Sequence, residues 1–257
     1  MNRMPVLFVG HGSPMNALAK NSFTESLNRL GRELPKPQAV LCISAHWETQ
    51  GTQVLYEAAP RTIHDFHGFP KPLFDLQYPA RGPLSIAHEA QNLLPGATLN
   101  DKWGLDHGTW SVLVHMYPHA DIPTFQVSLD ITKSWEEHLE FGKLLKPLRD
   151  KGVLIIGSGN IVHNLRLLDW EHPEATLPWA VEFDKEIKNA LDHRDATTLT
   201  HFPQLFEIIA KKAVPTPEHY LPLLYCFGAS DKSDTLSYPY EGFEMGSLSM
   251  RNVLWQH

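Results

Sequence analysis

Four short apolar runs punctuate the chain: "PVLFV" (5–9), "AVLCIS" (39–44), "TFQVSL" (124–129) and "VLIIG" (153–157). Each is rich in β-branched or aromatic residues and lacks strict alternation, the pattern of strands covered on both faces. "TQVLYEA" (52–58) is a further candidate, and "LSMRNVLW" (248–255) alternates as an edge or hairpin strand does. Helical spacing fills the gaps. "SFTESLNRLGREL" (22–34) sets Phe23, Leu27, Leu30 and Leu34 on one face, and 84–94 and 134–152 behave alike. The last of these has Ser134 as N-cap, Glu137 three residues on and Gly152 past its end. Further helices are expected over 178–192, 203–213 and 217–228. The alternation predicts one α/β domain spanning 1–257, its central sheet largely parallel or mixed and flanked by helices. Between the regular segments, 58–83 is a long Pro- and aromatic-rich loop, and such loops are often functional.

Composition narrows the function classes. At 257 residues the chain can bury a sizeable core. A net charge of -7 without any basic cluster argues against nucleic acid as a partner. Cys42 and Cys226 sit inside apolar runs with no CxxC, which reads as buried thiols in a reducing compartment rather than a cysteine zinc site. The N-terminal apolar run is too short for a signal peptide and no segment approaches a membrane span. A soluble, cytoplasmic protein with no membrane partner is expected.

The chain carries 15 histidines, and their positions sort them. Ligands of open α/β sheets bind outside the carboxyl ends of the strands. His11 follows the first strand by two residues, His46 ends "AVLCISAH", and His163 follows "VLIIGSGNIVH". His219 in "PTPEHYLPLL" stands at a Pro-marked helix start. Gly10 and Gly12 around His11 allow a sharp turn and close approach of a ligand. Either a metal or catalytic role, or a strand-end turn with an incidental histidine, accounts for that pattern. His138, His172 and His193 lie in charged contexts and read as surface, as do His115 and His119, where Pro118 interrupts the helix geometry. The "HDFH" histidines (64–67) either line a pocket or are solvated. In "LDHGTW" (105–110), Asp106 either orients a ring or caps a helix, and Trp103 and Trp110 beside it suit a flat apolar ligand. "GSGN" (157–160) lacks the residues of a phosphate loop, and neither GxSxG nor HExxH occurs.

Taken together, "GHGSPMN", "SAHW", "TIHDFHGFP", "LDHGTWSVLVHMYPHADIP", "GSGNIVHNLR", "TPEHYLPLLY" and "EGFEMGSLSM" resemble the 4,5-DOPA extradiol dioxygenase family, part of the class III, LigB-like ring-opening dioxygenases. The match runs in order from about residue 5 to about residue 250. The resemblance implies a mononuclear non-haem metal site with His11, His46 and His219 as ligands; Glu218 keeps a carboxylate alternative open. It implies His163 as the acid/base residue or a fourth ligand, and His107 as a contact to substrate or oxygen. Asp106, Tyr220 and His64 are the candidate substrate contacts beside these motifs. The implied partners are a catechol and O2, and the implied metal is Fe(II). A site of three neutral imidazoles also suits Zn(II), which has no redox chemistry. A zinc hydrolase on the same site, or a non-catalytic binding protein of the same fold, are the rival readings. Arg61 and Arg166 are carboxylate-binding candidates only by nearness to the motifs.

Overall fold

Each of the four apolar runs becomes a strand of one eight-stranded sheet. The computed structural model describes residues 3–257. The strands are β1 (Val6–Gly10), β2 (Ala39–Thr49), β3 (Gln53–Leu55), β4 (Thr98–Asn100), β5 (Thr124–Asp130), β6 (Val153–Gly159), β7 (Thr235–Tyr240) and β10 (Asn252–Gln256); β8 (Phe243–Glu244) and β9 (Leu248–Ser249) pair with each other. The helices are α1 (Ser22–Glu33), α2 (Lys71–Asp75), α3 (Leu84–Leu93), α4 (His107–Met116), α5 (Trp135–Leu145), α6 (Pro178–Asp192), α7 (Ala196–Leu205), α8 (Glu207–Ala213) and α9 (Leu221–Ala229).

The sheet order is β4-β3-β5-β2-β6-β1-β10-β7. Its centre, β5-β2-β6-β1, is parallel. β3 is antiparallel to β5, and β10 is antiparallel to both β1 and β7. The carboxyl ends of the four central strands therefore share one edge. β1, β5 and β6 are buried along their whole length, which is why they show no alternation.

Several elements differ from the sequence expectation. The segment 248–255 divides into β9 and β10, and β10 lies inside the sheet; the edge belongs to β7, whose Pro239 is tolerated there. α5 ends at Leu145, and 146–151 tightens into a 3-10 turn around Pro147 before the left-handed Gly152. The expected 203–213 helix is two helices, the first beginning at Ala196 under an Asp195 cap and ending before Phe206. α4 was not expected from the apolar pattern.

Two histidines assigned to the surface are not there. His115 is half-buried on α4, with Nε2 2.8 Å from the Asn16 carbonyl. His138 is only 1% exposed. The capping box at Ser134 and Glu137 turns the acidic residues outward and His138, Leu139, Gly142 and Leu145 inward, against α9. A side chain at Gly142 would collide with the Tyr225 carbonyl, so the two helices lie close and His138 is sealed beside the Tyr225 hydroxyl, 3.2 Å away.

Burial pushes the His138 imidazole down to about 4, against an opposing pull from Asp130. The unfolded chain therefore binds this proton first. Stability is full above about pH 6.5 and is lost as pH falls toward 4, by up to roughly 3 kcal/mol. Denaturant titrations of wild type and His138→Gln at pH 7 and pH 4 test this. The stability advantage of wild type over the variant should shrink by about that amount in acid; an advantage independent of pH contradicts it.

Candidate active site

The carboxyl edge of the central strands carries the histidines. β1 ends in Gly10, and Gly12 has a φ of +61, so the chain turns immediately after His11. The His11 N–H donates to the Gly159 carbonyl (3.0 Å), which ties the turn to the end of β6. His46 is delivered differently. β2 runs on to Thr49, but its pairing with β5 breaks between Ile43 and Glu48, and its pairing with β6 stops at Ser44. His46 sits in that bulge, a place where strands re-aim side chains. His219 precedes α9. Its carbonyl accepts from Asn160 N–H (2.8 Å) and packs on Gly159, where any Cβ would collide with it. The "GSGN" glycines thus serve close packing rather than phosphate binding.

One ring nitrogen from each of His11, His46 and His219 lies within 4.8 Å of the others. His11 Nε2 and His46 Nε2 are 3.1 Å apart. Each ring also has an acceptor near its other nitrogen. Ser158 Oγ donates to the Gly108 carbonyl (2.5 Å), so its lone pair receives His11 Nδ1–H at 2.9 Å. His46 Nδ1 lies 3.4 Å from Asp65 Oδ2, and His219 Nδ1 lies 3.2 Å from Glu218 Oε1. Such partners fix the tautomer and point the Nε2 lone pair inward, the usual support of metal-ligating histidines. Burial lowers all three imidazoles well below their ordinary range, and repulsion among the neighbouring histidines lowers them further. At neutral pH they are uncharged donors.

His163 is not in this group, but with Glu218 and His219 it forms a second set whose ligand atoms lie within 4.8 Å of one another. Its ring stacks on His219 at 3.4 Å with a 5° interplanar angle. Burial, and then His107, bring it to about 4. Among the described residues neither of its ring nitrogens has a hydrogen-bond partner. His107 opens α4. Its Nδ1 is 2.8 Å from Asp65 Oδ2, and its backbone N–H donates to Asp65 Oδ1 (3.0 Å). Burial alone would raise the Asp65 carboxyl; the hydrogen bond from His107 and the nearness of His107 and His46 outweigh it and hold it at about 2.

These residues face a cavity of about 460 Å³, within the range of small-molecule sites. Its walls are mostly apolar: Pro14, Met15, Phe66, Phe69, Leu168, Trp170, Met245 and Leu248 surround the histidines.

Three expected substrate contacts lie elsewhere. Asp106 is fully buried, caps α4 through Thr109 N–H, and accepts from Ser44 Oγ (2.6 Å) and Gln126 Nε2 (2.7 Å). The capping reading is the correct one. Tyr220 is also fully buried, its hydroxyl donating to the Leu199 carbonyl (3.1 Å) behind the site. His64 bonds the Leu76 carbonyl (3.0 Å) and packs on Phe66 and Trp110, so it backs the wall rather than forming it. Arg61 is turned toward the Lys102 carbonyl, and neither it nor Arg166 lines the cavity. Conversely, Asp65, Ser158 and Glu244 escaped the sequence reading. Asp65 sits between the two histidines of "HDFH", and that flanking was its only signal.

The fold and site define a class: an α/β protein whose sheet edge presents a histidine-rich centre, able to hold one metal ion, to an apolar cavity. Comparison with known proteins sharpens this. Residues 5–248 match the family model described as the catalytic LigB subunit of aromatic ring-opening dioxygenase. The chain is 45% identical to 4,5-DOPA dioxygenase extradiol of Escherichia coli K12, covering 98% of this chain and 94% of that one. It is 35% identical to the protein of the same name from Beta vulgaris, over 96% and 95%. A solved structure of an uncharacterized protein from Escherichia coli K12 superposes with a TM-score of 0.86 at 43% identity, covering 98% and 99%. The chain belongs to the LigB family of aromatic ring-opening dioxygenases. The family uses a metal, and no helix among the described residues is long and apolar enough to cross a membrane.

Proposed function

We propose that the chain forms one catalytic domain over 1–257 and is an extradiol dioxygenase that opens a catechol at a single Fe(II) held by His11, His46 and His219. L-DOPA, named in its relatives, is the first substrate to try, and a muconic-semialdehyde-type compound the expected product. The observation that supports this reading is the convergence of three uncharged imidazoles, two buried and one half-buried, with one nitrogen of each within 4.8 Å of the others at the cavity. The donor set fits a borderline divalent ion, each ring having an acceptor behind it, although His46 shares Asp65 with His107. Fe(II) held there would supply redox chemistry toward catechol and O2, whereas Zn(II) in the same donors would supply none.

The chain's own residues do the rest. Three neutral ligands would leave a bound dication's charge uncompensated, which would favour the deprotonated catechol. His163 has an unpartnered ring nitrogen and is uncharged at neutral pH, so it is placed to accept a catechol proton and to give it back. His107, with Nδ1 engaged by Asp65, presents Nε2 to substrate or oxygen. Phe66 and Phe69 hold the aromatic ring flat and exclude water.

Anaerobic loading of metal-free protein with Fe(II), followed by L-DOPA or caffeate and air, is the test. Oxygen uptake with a yellow ring-opened product is expected. Iron demonstrably bound with no oxygen uptake across a catechol panel defeats the reading; ester or amide cleavage by the Zn(II) form in its place supports the hydrolase.

A further inference from the structure

The cavity has one charged side chain besides its histidines. Glu244, on β8, lies in the wall beside Met15 and Met245. Its Oε2 accepts from Ser13 N–H (3.1 Å) and Asn16 Nδ2 (3.3 Å). Among the described residues Oε1 has no partner, and no Lys or Arg lines the cavity. The two donors that touch Glu244 are neutral, so no cationic side chain matches its charge. Burial accordingly raises its carboxyl above the ordinary range, and nearby Glu174 adds to the rise. An isolated carboxylate in such a place is costly unless a cation joins it. The position is also fixed. Oε2 stands where Gly12 would carry a Cβ, so the carboxylate is held against the turn that follows His11.

Resting on the dioxygenase reading, we propose that Glu244 is a specificity-determining residue that binds an ammonium group on the substrate's side arm. The substrates favoured are then catechols bearing an amine, and catechols bearing only a carboxylate are disfavoured. The protein's own carboxylate repels an acidic arm, and no basic side chain in the wall compensates. A charge-assisted N–H···O contact in a site of low polarity discriminates strongly against the opposite charge.

The test compares three arms on one ring: dopamine, 3,4-dihydroxyphenylpropionate and the neutral 4-ethylcatechol. In the Fe(II)-loaded wild type, kcat/KM for dopamine should exceed that for the acid by on the order of 10- to 100-fold. The difference should lie mainly in KM. In Glu244→Gln the dopamine-to-ethylcatechol ratio should fall by a similar factor, and Glu244→Asp should recover part of it. Binding to metal-free protein gives a second readout. Phenethylamine should quench tryptophan fluorescence, Trp170 being 72% exposed at the cavity wall, at least about 10-fold more tightly than phenylpropionate does. Equal use of amine and acid by wild type, or an unchanged ratio in Glu244→Gln, overturns the proposal. If no catechol is consumed with iron bound, the dioxygenase reading fails, while the phenethylamine titration still decides the role of Glu244.

Discussion

His11→Ala is expected to retain the fold, lose the metal on dialysis and lose ring-opening activity by on the order of a thousandfold or more. The reasoning starts from the donor set. His11 Nε2 is 3.1 Å from His46 Nε2, and removing the ring leaves the centre with two of its three donors. It also strands a support: Ser158 Oγ would keep its bond to the Gly108 carbonyl but have no ring to receive. His11 lies at the cavity wall rather than in the packed core, so the loss of volume opens onto existing space. Metal content after dialysis, circular dichroism and oxygen uptake together read the result. A variant that keeps one equivalent of iron removes His11 from the ligand set.

His163→Ala is expected to keep the metal and lose turnover by about 10²- to 10⁴-fold, the usual worth of a positioned acid/base group. His163 stacks face-on against His219 and lies outside the His11, His46 and His219 group, although it shares a second candidate ligand set with Glu218 and His219, so the metal content decides between the two roles. Full metal occupancy with slow oxygen uptake fits a proton carrier. Loss of metal together with activity makes it a fourth ligand. His107→Ala is a useful companion, because His107 shares Asp65 with His46 and its loss should disturb both proton handling and the metal.

The strands were legible because burial on both faces writes itself as unbroken apolar runs, and β1, β5 and β6 are such runs. β7 and β4 were not, since three exposed or part-exposed residues or a strand containing Pro239 carry little of that signal. The histidines that converge were legible from their places after strands and before α9. What brings His46 in was not: a bulge is a mismatch between two ladders and leaves no mark on one strand's sequence. His138 was misread because local charge said surface, while the deciding contact came from α9, 87 residues away. Asp65, Ser158 and Glu244 act through partners remote in the chain, His107, His11 and Ser13, and pairings over such distances cannot be seen from neighbours alone.

Asp65 belongs to the long loop, not to the sheet, yet it reaches both His46 and His107, with its carboxylate only 16% exposed. One anion therefore holds two rings at once, the one in the β2 bulge and the one at the head of α4. The long loop is thereby pinned to the sheet edge at two points, so a substitution that displaces Asp65 is felt at both histidines together.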